Sequence, residues 1–175
     1  MNETIKTLKE RRSIRRFTSQ MPKKEDLDAI IEAGLYAASG MGRQSPIIIA
    51  VTDKEVRDQL SEVNRRIGGF PEGSDPFYGA PAVLIVLADK NVVTHVYDGS
   101  LVMGNLMAAA KSLGLGSIWI HRAKEEFEMD EWKNCLKQLG IEGEWEGIGH
   151  CAVGYAEGEV PAAAPRKEGR VFYID

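Results

Sequence analysis

Residues 97–121 read YDGSLVMGNLMAAAKSLGLGSIWIH, and this stretch does most to decide the fold. Its first part, Tyr97–Leu113, places apolar residues nearly all round a helix, which is typical of a helix that is buried on more than one side. Its second part, Leu113–His121, reads as a glycine turn followed by a strand. In a chain of 175 residues, such a helix is expected at the centre of the core or at a subunit interface.

Helical and extended patterns alternate on both sides of this stretch. Four further helices are predicted at residues 2–12, from Pro22 to the SGMG sequence (39–42), from Asp53 to Ile67, and over Glu125–Leu139. Further strands are predicted at Pro46–Thr52, Ala80–Ala88, Gly147–Ala156 and Arg170–Ile174. Residues 68–80 hold four glycines and two prolines and predict a loop. The class is therefore α/β or α+β, with too few strands for a long doubly wound sheet.

Bulk properties narrow the classes of function. The formal net charge is −4, which argues against general affinity for nucleic acid. No apolar run approaches the length of a membrane span, and no signal peptide is recognised, so we expect a cytoplasmic protein with no membrane partner. Two cysteines, Cys135 and Cys151, make no disulfide framework, and their spacing matches no metal-site pattern. We therefore expect no metal.

Positive charge is concentrated near the amino terminus, where residues 11–17 read RRSIRRF. Residues 1–24 hold eight Lys or Arg against two Glu. Three interpretations compete: a solvated basic face, a contact with nucleic acid or membrane, and a pocket for a phosphate group. If the segment is extended, Arg11, Ser13 and Arg15 share one face, and arginine forks match phosphate oxygens in paired hydrogen bonds.

Five stretches in chain order resemble motifs of the nitroreductase family, the flavin-dependent NAD(P)H oxidoreductases. They are RRSIRRF (11–17), AASGMGRQSPIII (37–49), YGAPAVLIVLAD (78–89), DGSLVMGNLMAAAKSLGLGSIWI (98–120) and GYAEGEVPAAAPRKEGRVFYI (154–174). The resemblance implies an α+β sandwich with a central, mainly antiparallel sheet of four to five strands flanked by helices. It also implies one FMN-binding domain over residues 1–175.

The resemblance further implies which residues bind FMN, tightly but without a covalent link. The phosphate and ribityl chain are expected to meet Arg11, Arg12, Ser13 and Arg15, with Arg166 and Lys167 closing on the same phosphate. Asn64 is expected at the pyrimidine edge of the flavin. The stretch of Trp119, Ile120, His121 and Arg122 is expected to pass the ring, with main-chain groups near N5.

The resemblance also implies a homodimer with FMN at the interface. Ala38, Ser39 and Gly40 are expected to come from the second subunit, and Gln44 is expected to reach the cofactor as well. Residues 157–175 are expected to form an arm that embraces the partner, with Val171–Ile174 exchanged as a strand of the partner's sheet. The family often has a Pro-Trp pair after the glutamine, whereas Ser45 and Pro46 follow it here, which leaves substrate preference open.

The reaction implied is a ping-pong reduction in which NADH or NADPH supplies hydride and a nitroaromatic, a quinone or a related small acceptor takes the electrons. No catalytic acid, base or nucleophile is predicted. Two alternatives stay open. One is the same flavin fold with a different reaction, namely dehalogenation, flavin fragmentation or a biosynthetic oxidation. The other is a basic-tailed regulator that binds nucleic acid.

Overall fold

The computed structural model describes residues 1–175. Six α-helices run in chain order as α1 Glu3–Glu10, α2 Lys24–Leu35, α3 Lys54–Ile67, α4 His95–Ser112, α5 Ala123–Glu128 and α6 Asp130–Gln138. Four strands complete the fold as β1 Pro46–Val51, β2 Ala82–Asp89, β3 Gly116–Ile120 and β4 Trp145–Gly154. A short 3-10 turn covers Gly40–Gly42. Residues 68–80 form the predicted loop, with no helix or strand.

The four strands form one sheet in the order β1-β2-β4-β3, and every neighbouring pair is antiparallel. The predicted α+β class with a mainly antiparallel sheet is therefore confirmed. This order places β2 and β4 at the centre, while β1 and β3 form the two edges.

Strand β2 shows why the sheet is covered on both faces. Its residues from Ala82 to Ala88 are all buried, with at most 2% of any side chain exposed. Val83, Ile85 and Leu87 belong to one core cluster with side chains of α3, α5 and α6. The alternate residues, including Leu84 and Val86, belong to a second cluster with side chains of α2 and α4. A continuous apolar strand is thus the consequence of a three-layer arrangement.

Helix α4 is buried on one side only within the chain. Met103 and Leu106 are fully buried, but Tyr97 is 73% exposed and Leu101 is 50% exposed. The apolar pattern predicted a helix buried on nearly every side, but within the single chain only one side of α4 is buried. An open apolar face along the longest helix is the surface that a second protomer is expected to cover.

The helix predicted over Glu125–Leu139 is wrong in one respect, because the structure has two helices there. Met129 between them is extended, with φ −76° and ψ 141°. Phe127 and Trp132 are five positions apart and point in different directions on a continuous helix. The break lets both rings enter the same core cluster, with centroids 6.0 Å apart.

Residues 157–175 contain no helix or strand. Val171, Phe172, Tyr173 and Ile174 are between 70% and 102% exposed. The expected strand at Arg170–Ile174 has no partner strand in its own chain, and its exchange with a second copy stays a prediction. None of the helices is both long and apolar enough to cross a bilayer.

Candidate functional site

The basic segment Arg11–Phe17 lies beside strand β3 and contains no helix or strand of its own. Ser13 forms a parallel bridge with Ser117, and the Ile14 amide donates to the Ser117 carbonyl at 3.1 Å. Ile14 and Phe17 anchor the segment because both side chains are 7% exposed and belong to the core. The arginines therefore lie on a fixed backbone rather than on a free tail.

Three of the four arginines in this segment have no carboxylate partner. Arg16 pairs with Glu157 at 3.0 Å, whereas Arg11, Arg12 and Arg15 form no ion pair. Arg12 donates from Nη1 to two main-chain carbonyls at the end of α1 at 2.6 and 2.7 Å, so part of its role is to cap that helix. Positive charge left without protein anions favours an external anion.

A cavity of about 70 Å³ opens beside these arginines. Its wall includes one carboxylate, Glu10, and the cations Arg11, Arg12 and Lys111, together with Ser117, Val160 and the glycines of the LGLGS sequence (113–117). Two buried polar atoms here, the Arg12 Nε and the Ser117 Oγ, have no hydrogen-bond partner. Such atoms are costly to bury unless something satisfies them, so this donor set suits the phosphate of a bound cofactor. Ser13 and Arg15 belong to the same basic segment, but neither residue lines the cavity.

Lys111 is a cation that sequence reasoning missed. It lies in the last turn of α4, where its ammonium group is 4.0 Å from a Glu10 oxygen. It lies two residues before the LGLGS sequence (113–117), and this position was the available signal, because a cation there lies beside any ligand that packs against the glycines.

The carboxyl-terminal arm starts from the basic segment. Phe17 bridges to Ala156, and the Glu157 amide donates to the Arg16 carbonyl at 3.0 Å. Val160 still lines the cavity, but no later residue of the arm does. Arg166 donates only to the Ala164 carbonyl, and both Arg166 and Lys167 are exposed. Their convergence with Arg11 stays a prediction that needs a second protomer.

The segment from Ala38 to Gln44 is held in an unusual shape by Asp98, which sequence reasoning also missed. Met41, Gly42 and Gln44 all have positive φ, at 55°, 65° and 48°. The Gln44 amide donates to the Ser39 Oγ at 2.9 Å. Left-handed residues other than glycine persist only where neighbouring contacts enforce them.

Asp98 supplies those contacts from the first turn of α4. Its carboxylate is 3% exposed and accepts from the Gly40 amide at 2.9 Å, the Thr94 hydroxyl at 2.9 Å and the Ser45 hydroxyl at 3.2 Å. A Cβ at Gly40 would lie 2.3 Å from the Thr94 Oγ1, so only glycine fits that close approach. Ser39 and Gly40 are half-buried, while Ala38 and Gln44 are exposed.

The two predicted halves of the cofactor site lie at opposite ends of α4 within one chain. Asp98 holds the Ala38–Gln44 segment at the start of the helix, and Lys111 lines the cavity at its end. Thirteen residues of α-helix separate them by about 20 Å along the axis. The two predicted halves therefore do not meet within one chain.

A third group of contacts surrounds the junction between β3 and α5. Asn64 is fully buried; its Nδ2 donates to the His121 carbonyl at 2.9 Å, and its Oδ1 accepts from the Arg122 Nε at 3.0 Å. Arg122 has φ 78°, and its guanidinium lies 4.8 Å from the centre of the Phe70 ring. Asn64 has no exposed surface within the single chain, where its amide already bonds to His121 and Arg122, so its predicted contact with the cofactor stays a prediction.

The remaining predicted residues are divided between core and surface. Ile120 is 6% exposed and lies in the core, so only its main chain can meet a ligand. Trp119 is half-buried and its Nε1 has no hydrogen-bond partner, while His121 is exposed. Cys151 lies on the neighbouring strand, where burial raises the pKa of its thiol to about 12 against the opposing effect of the Arg11 charge.

Comparisons with known proteins agree with this fold. The family model described as the Nitroreductase family matches residues 8–67 and 71–155. An FMN reductase [NAD(P)H] of Bacillus subtilis is 34% identical over 140 residues, covering 67% of this chain and 53% of that protein. An iodotyrosine deiodinase of Thermotoga neapolitana is 29% identical over 128 residues, covering 63% of this chain and 69% of that protein. The chain thus spans about half the length of the FMN reductase.

A solved structure matches over the whole length. The nitroreductase with bound FMN from Bacteroides fragilis superposes with a TM-score of 0.91 at 28% identity, and the match covers 100% of both chains.

Proposed function

The chain belongs to the nitroreductase family, and on this premise we propose that it is an FMN-dependent NAD(P)H oxidoreductase. The observation that carries the proposal is the cavity beside β3, where Arg11 and Arg12, which form no ion pair, meet two buried polar atoms without hydrogen bonds. An anionic cofactor is the ligand class that satisfies both features at once. The FMN in the Bacteroides fragilis structure and the name of the Bacillus subtilis relative support FMN as that cofactor.

The proposed binding site divides into a phosphate end and a ring end. Arg11, Arg12 and Ser13 hold the phosphate and ribityl chain, and Lys111 adds a further cation. Arg15 faces the pyrimidine part of the ring, where its charge favours the reduced cofactor. Asn64 meets the pyrimidine edge, and the main chain from Trp119 to Arg122 passes the ring.

FMN, when bound, supplies the hydride and electron chemistry, with NADH or NADPH as reductant and a nitroaromatic, quinone or related acceptor as oxidant. The protein's own residues bind, orient and shield. We assign no side chain as acid, base or nucleophile, because FMN, when bound, supplies the hydride and electron chemistry. The reductant and the acceptor bind one after the other in the same pocket.

We propose that the working unit is a homodimer. Its support is the separation of the two half-sites along α4 and the exposed apolar face of that helix, which includes Tyr97 and Leu101. In the dimer, Ala38, Ser39, Gly40 and Gln44 of each protomer complete the partner's site. Residues 1–175 then form one domain, and its residues 157–175 embrace the partner. Arg166 and Lys167 of this arm reach the FMN phosphate at the interface.

An absorption spectrum of the purified protein tests the cofactor, and anaerobic addition of NADH or NADPH tests the reaction. We expect oxidised flavin to copurify and to be bleached by at least one nucleotide. Protein that stays colourless after incubation with FMN contradicts the proposal, and a flavoprotein that neither nucleotide reduces contradicts the reductase part of it.

Deletion of residues 161–175 tests the arm. We expect the truncated protein to lose both dimer stability and FMN affinity, because the exposed Val171–Ile174 strand is proposed to pair with the partner's sheet. Sedimentation and flavin content that both match the full-length protein contradict the arm.

A second candidate is the same flavin site with another reaction, such as dehalogenation, flavin fragmentation or a biosynthetic oxidation. The similarity to the iodotyrosine deiodinase favours dehalogenation among these. Steady-state turnover of nitroaromatics, quinones and halogenated phenols, each with NADH and NADPH, separates the two candidates. A halophenol turned over faster than every nitroaromatic and quinone favours the second.

A further inference from the structure

We propose that the Arg122 side chain is a preorganised receptor for an anionic group, a carboxylate or a phosphate, on a substrate that enters beside the flavin. The proposal rests on the proposed function for the position of the flavin. It concerns a role of the side chain that is separate from the main-chain role predicted for the Trp119–Arg122 stretch.

The Arg122 guanidinium is fixed on one edge and open on the other. Its Nε donates to the Asn64 Oδ1 at 3.0 Å, but its two terminal nitrogens make no hydrogen bond within the chain, and the residue forms no ion pair. A guanidinium presents two parallel N–H groups on its terminal edge, which match the two oxygens of a carboxylate or phosphate. The edge that suits an anion is therefore the one left free.

Phe70 covers one face of the guanidinium and is itself held in place. The Phe70 amide donates to the Arg65 carbonyl at 3.0 Å, and the Arg65 Nη1 donates to the Phe70 carbonyl at 2.8 Å. A Cβ at Gly68 would lie 2.5 Å from the Phe70 ring, so glycine is needed for the ring to fold back on the end of α3. The ring is 39% exposed. Orientation before binding reduces the entropy that an arginine otherwise loses when it grips a ligand.

The backbone of Arg122, at the start of α5, adopts a conformation that is costly for a residue other than glycine. Its φ of 78° lies in the left-handed region that glycine adopts at little cost. Asn64 holds the preceding His121 carbonyl at 2.9 Å and so keeps this conformation in place. Strain of this kind collects at binding sites, where the surrounding contacts are built to maintain it.

The charges near Arg122 leave its anion preference intact. Lys124, Glu125 and Glu146 line the neighbouring cavity with it. The Glu146 carboxylate already lies 3.3 Å from the Lys124 ammonium group and 3.4 Å from the His95 ring, so its oxygens have partners other than Arg122. Glu125 lies three residues along the chain and forms no ion pair with Arg122.

Calorimetric titration with matched ligand pairs tests the proposal without turnover. The pairs are benzoate against benzamide, for a carboxylate on the electron acceptor, and adenosine 2′-monophosphate against adenosine, for a phosphate on the nucleotide. In the wild type, we expect the charged member of at least one pair to bind more tightly. In Arg122→Gln, that selectivity should fall about 10-fold or more, since charge-assisted paired hydrogen bonds are lost.

Companion variants keep the test decisive if Arg122→Gln folds poorly. Arg122→Gly suits the left-handed backbone, which offsets part of the cost of the lost hydrogen bond to Asn64, so the protein should stay folded while losing the selectivity. Gly68→Ala displaces the Phe70 ring and should lower the selectivity by a smaller factor. Arg66→Gln removes the same charge from an exposed position on α3 and should leave it unchanged.

Each outcome decides one point. Loss confined to the benzoate pair identifies an acceptor carboxylate, and loss confined to the adenosine pair identifies a nucleotide phosphate. Equal weakening of charged and neutral ligands, or unchanged selectivity in Arg122→Gly, overturns the proposal. The absorption spectrum of the same samples separates this failure from failure of the proposed function, since a protein without flavin can still be titrated.

Discussion

Replacement of Asp98 by alanine tests the part of the candidate site that Asp98 holds at the start of α4, the segment Ala38–Gln44. The carboxylate is 3% exposed and accepts three hydrogen bonds, from the Gly40 amide and from the hydroxyls of Ser45 and Thr94. No cation lies within ion-pair distance, so these three donors are its only compensation. The alanine variant leaves all three donors without their acceptor.

The magnitude follows from these contacts. A hydrogen bond to a charged group contributes about 1.5–3 kcal/mol, and the three together are offset by the desolvation of the carboxylate. We therefore expect Asp98→Ala to lower the free energy of unfolding by roughly 2–4 kcal/mol. For a chain of this size, that corresponds to a fall in melting temperature of about 5–15 °C. Asp98→Asn keeps one acceptor oxygen and should lose roughly half as much.

Urea denaturation and the flavin content of the purified protein measure the two consequences. Flavin content should fall with stability, because the left-handed turn at Met41–Gln44, which is proposed to complete the partner's site, loses the Asp98 carboxylate that holds it. Asp28→Ala is the matched control, since Asp28 is an exposed helical carboxylate paired with Lys24 and should change stability by less than about 0.5 kcal/mol. Asp98→Ala within about 1 kcal/mol of the wild type, with full flavin content, refutes the reasoning.

Three further predictions concern charge, acid stability and thiol reactivity. Arg11→Glu should abolish copurification of FMN while leaving the circular dichroism spectrum unchanged, and retained flavin contradicts the assignment of the phosphate end. Burial alone raises the pKa of Asp75, but hydrogen bonds from Arg57 and Ser61 and the Arg57 charge outweigh it, so the net pKa is lowered. Asp75 therefore stabilises the fold above about pH 4, and this contribution is lost as the pH falls through its lower folded pKa. Asp75→Asn should lose stability at pH 7 and show a weaker decline in urea midpoint between pH 5 and 3, whereas a decline as steep as that of the wild type counts against it. A thiol reagent on the native protein should spare Cys151, whose pKa is raised to about 12 by burial, and modify the half-buried Cys135. Mass spectrometry showing both thiols labelled at the same rate contradicts this.

Much of the fold is predictable from local patterns. The apolar runs at Pro46–Thr52 and Ala80–Ala88 are strands, and helical spacing from Asp53 to Ile67 marks α3. These patterns are readable because buried strands and amphipathic helices each have their own period. The break at Met129 is not readable, since it depends on where the core accepts the rings of Phe127 and Trp132.

Local sequence patterns likewise reveal one part of the candidate site and leave the rest hidden. The basic segment stands out because four arginines in six residues are unusual in an acidic chain. Asp98 does not stand out, since its role depends on the Gly40 segment returning to α4 from 58 positions away in sequence. The Phe70–Arg122 contact likewise depends on the path of the loop at residues 68–80, which no local period specifies.

The central claim is that cations beside β3 hold the phosphate of a flavin. Titration of the flavin-free protein with FMN and with riboflavin, which lacks the phosphate, tests it most directly. Two lost charge-assisted contacts, at about 1.5–3 kcal/mol each, predict that FMN binds at least about 100-fold more tightly than riboflavin. Equal affinity for the two flavins, or binding of neither, would contradict the account.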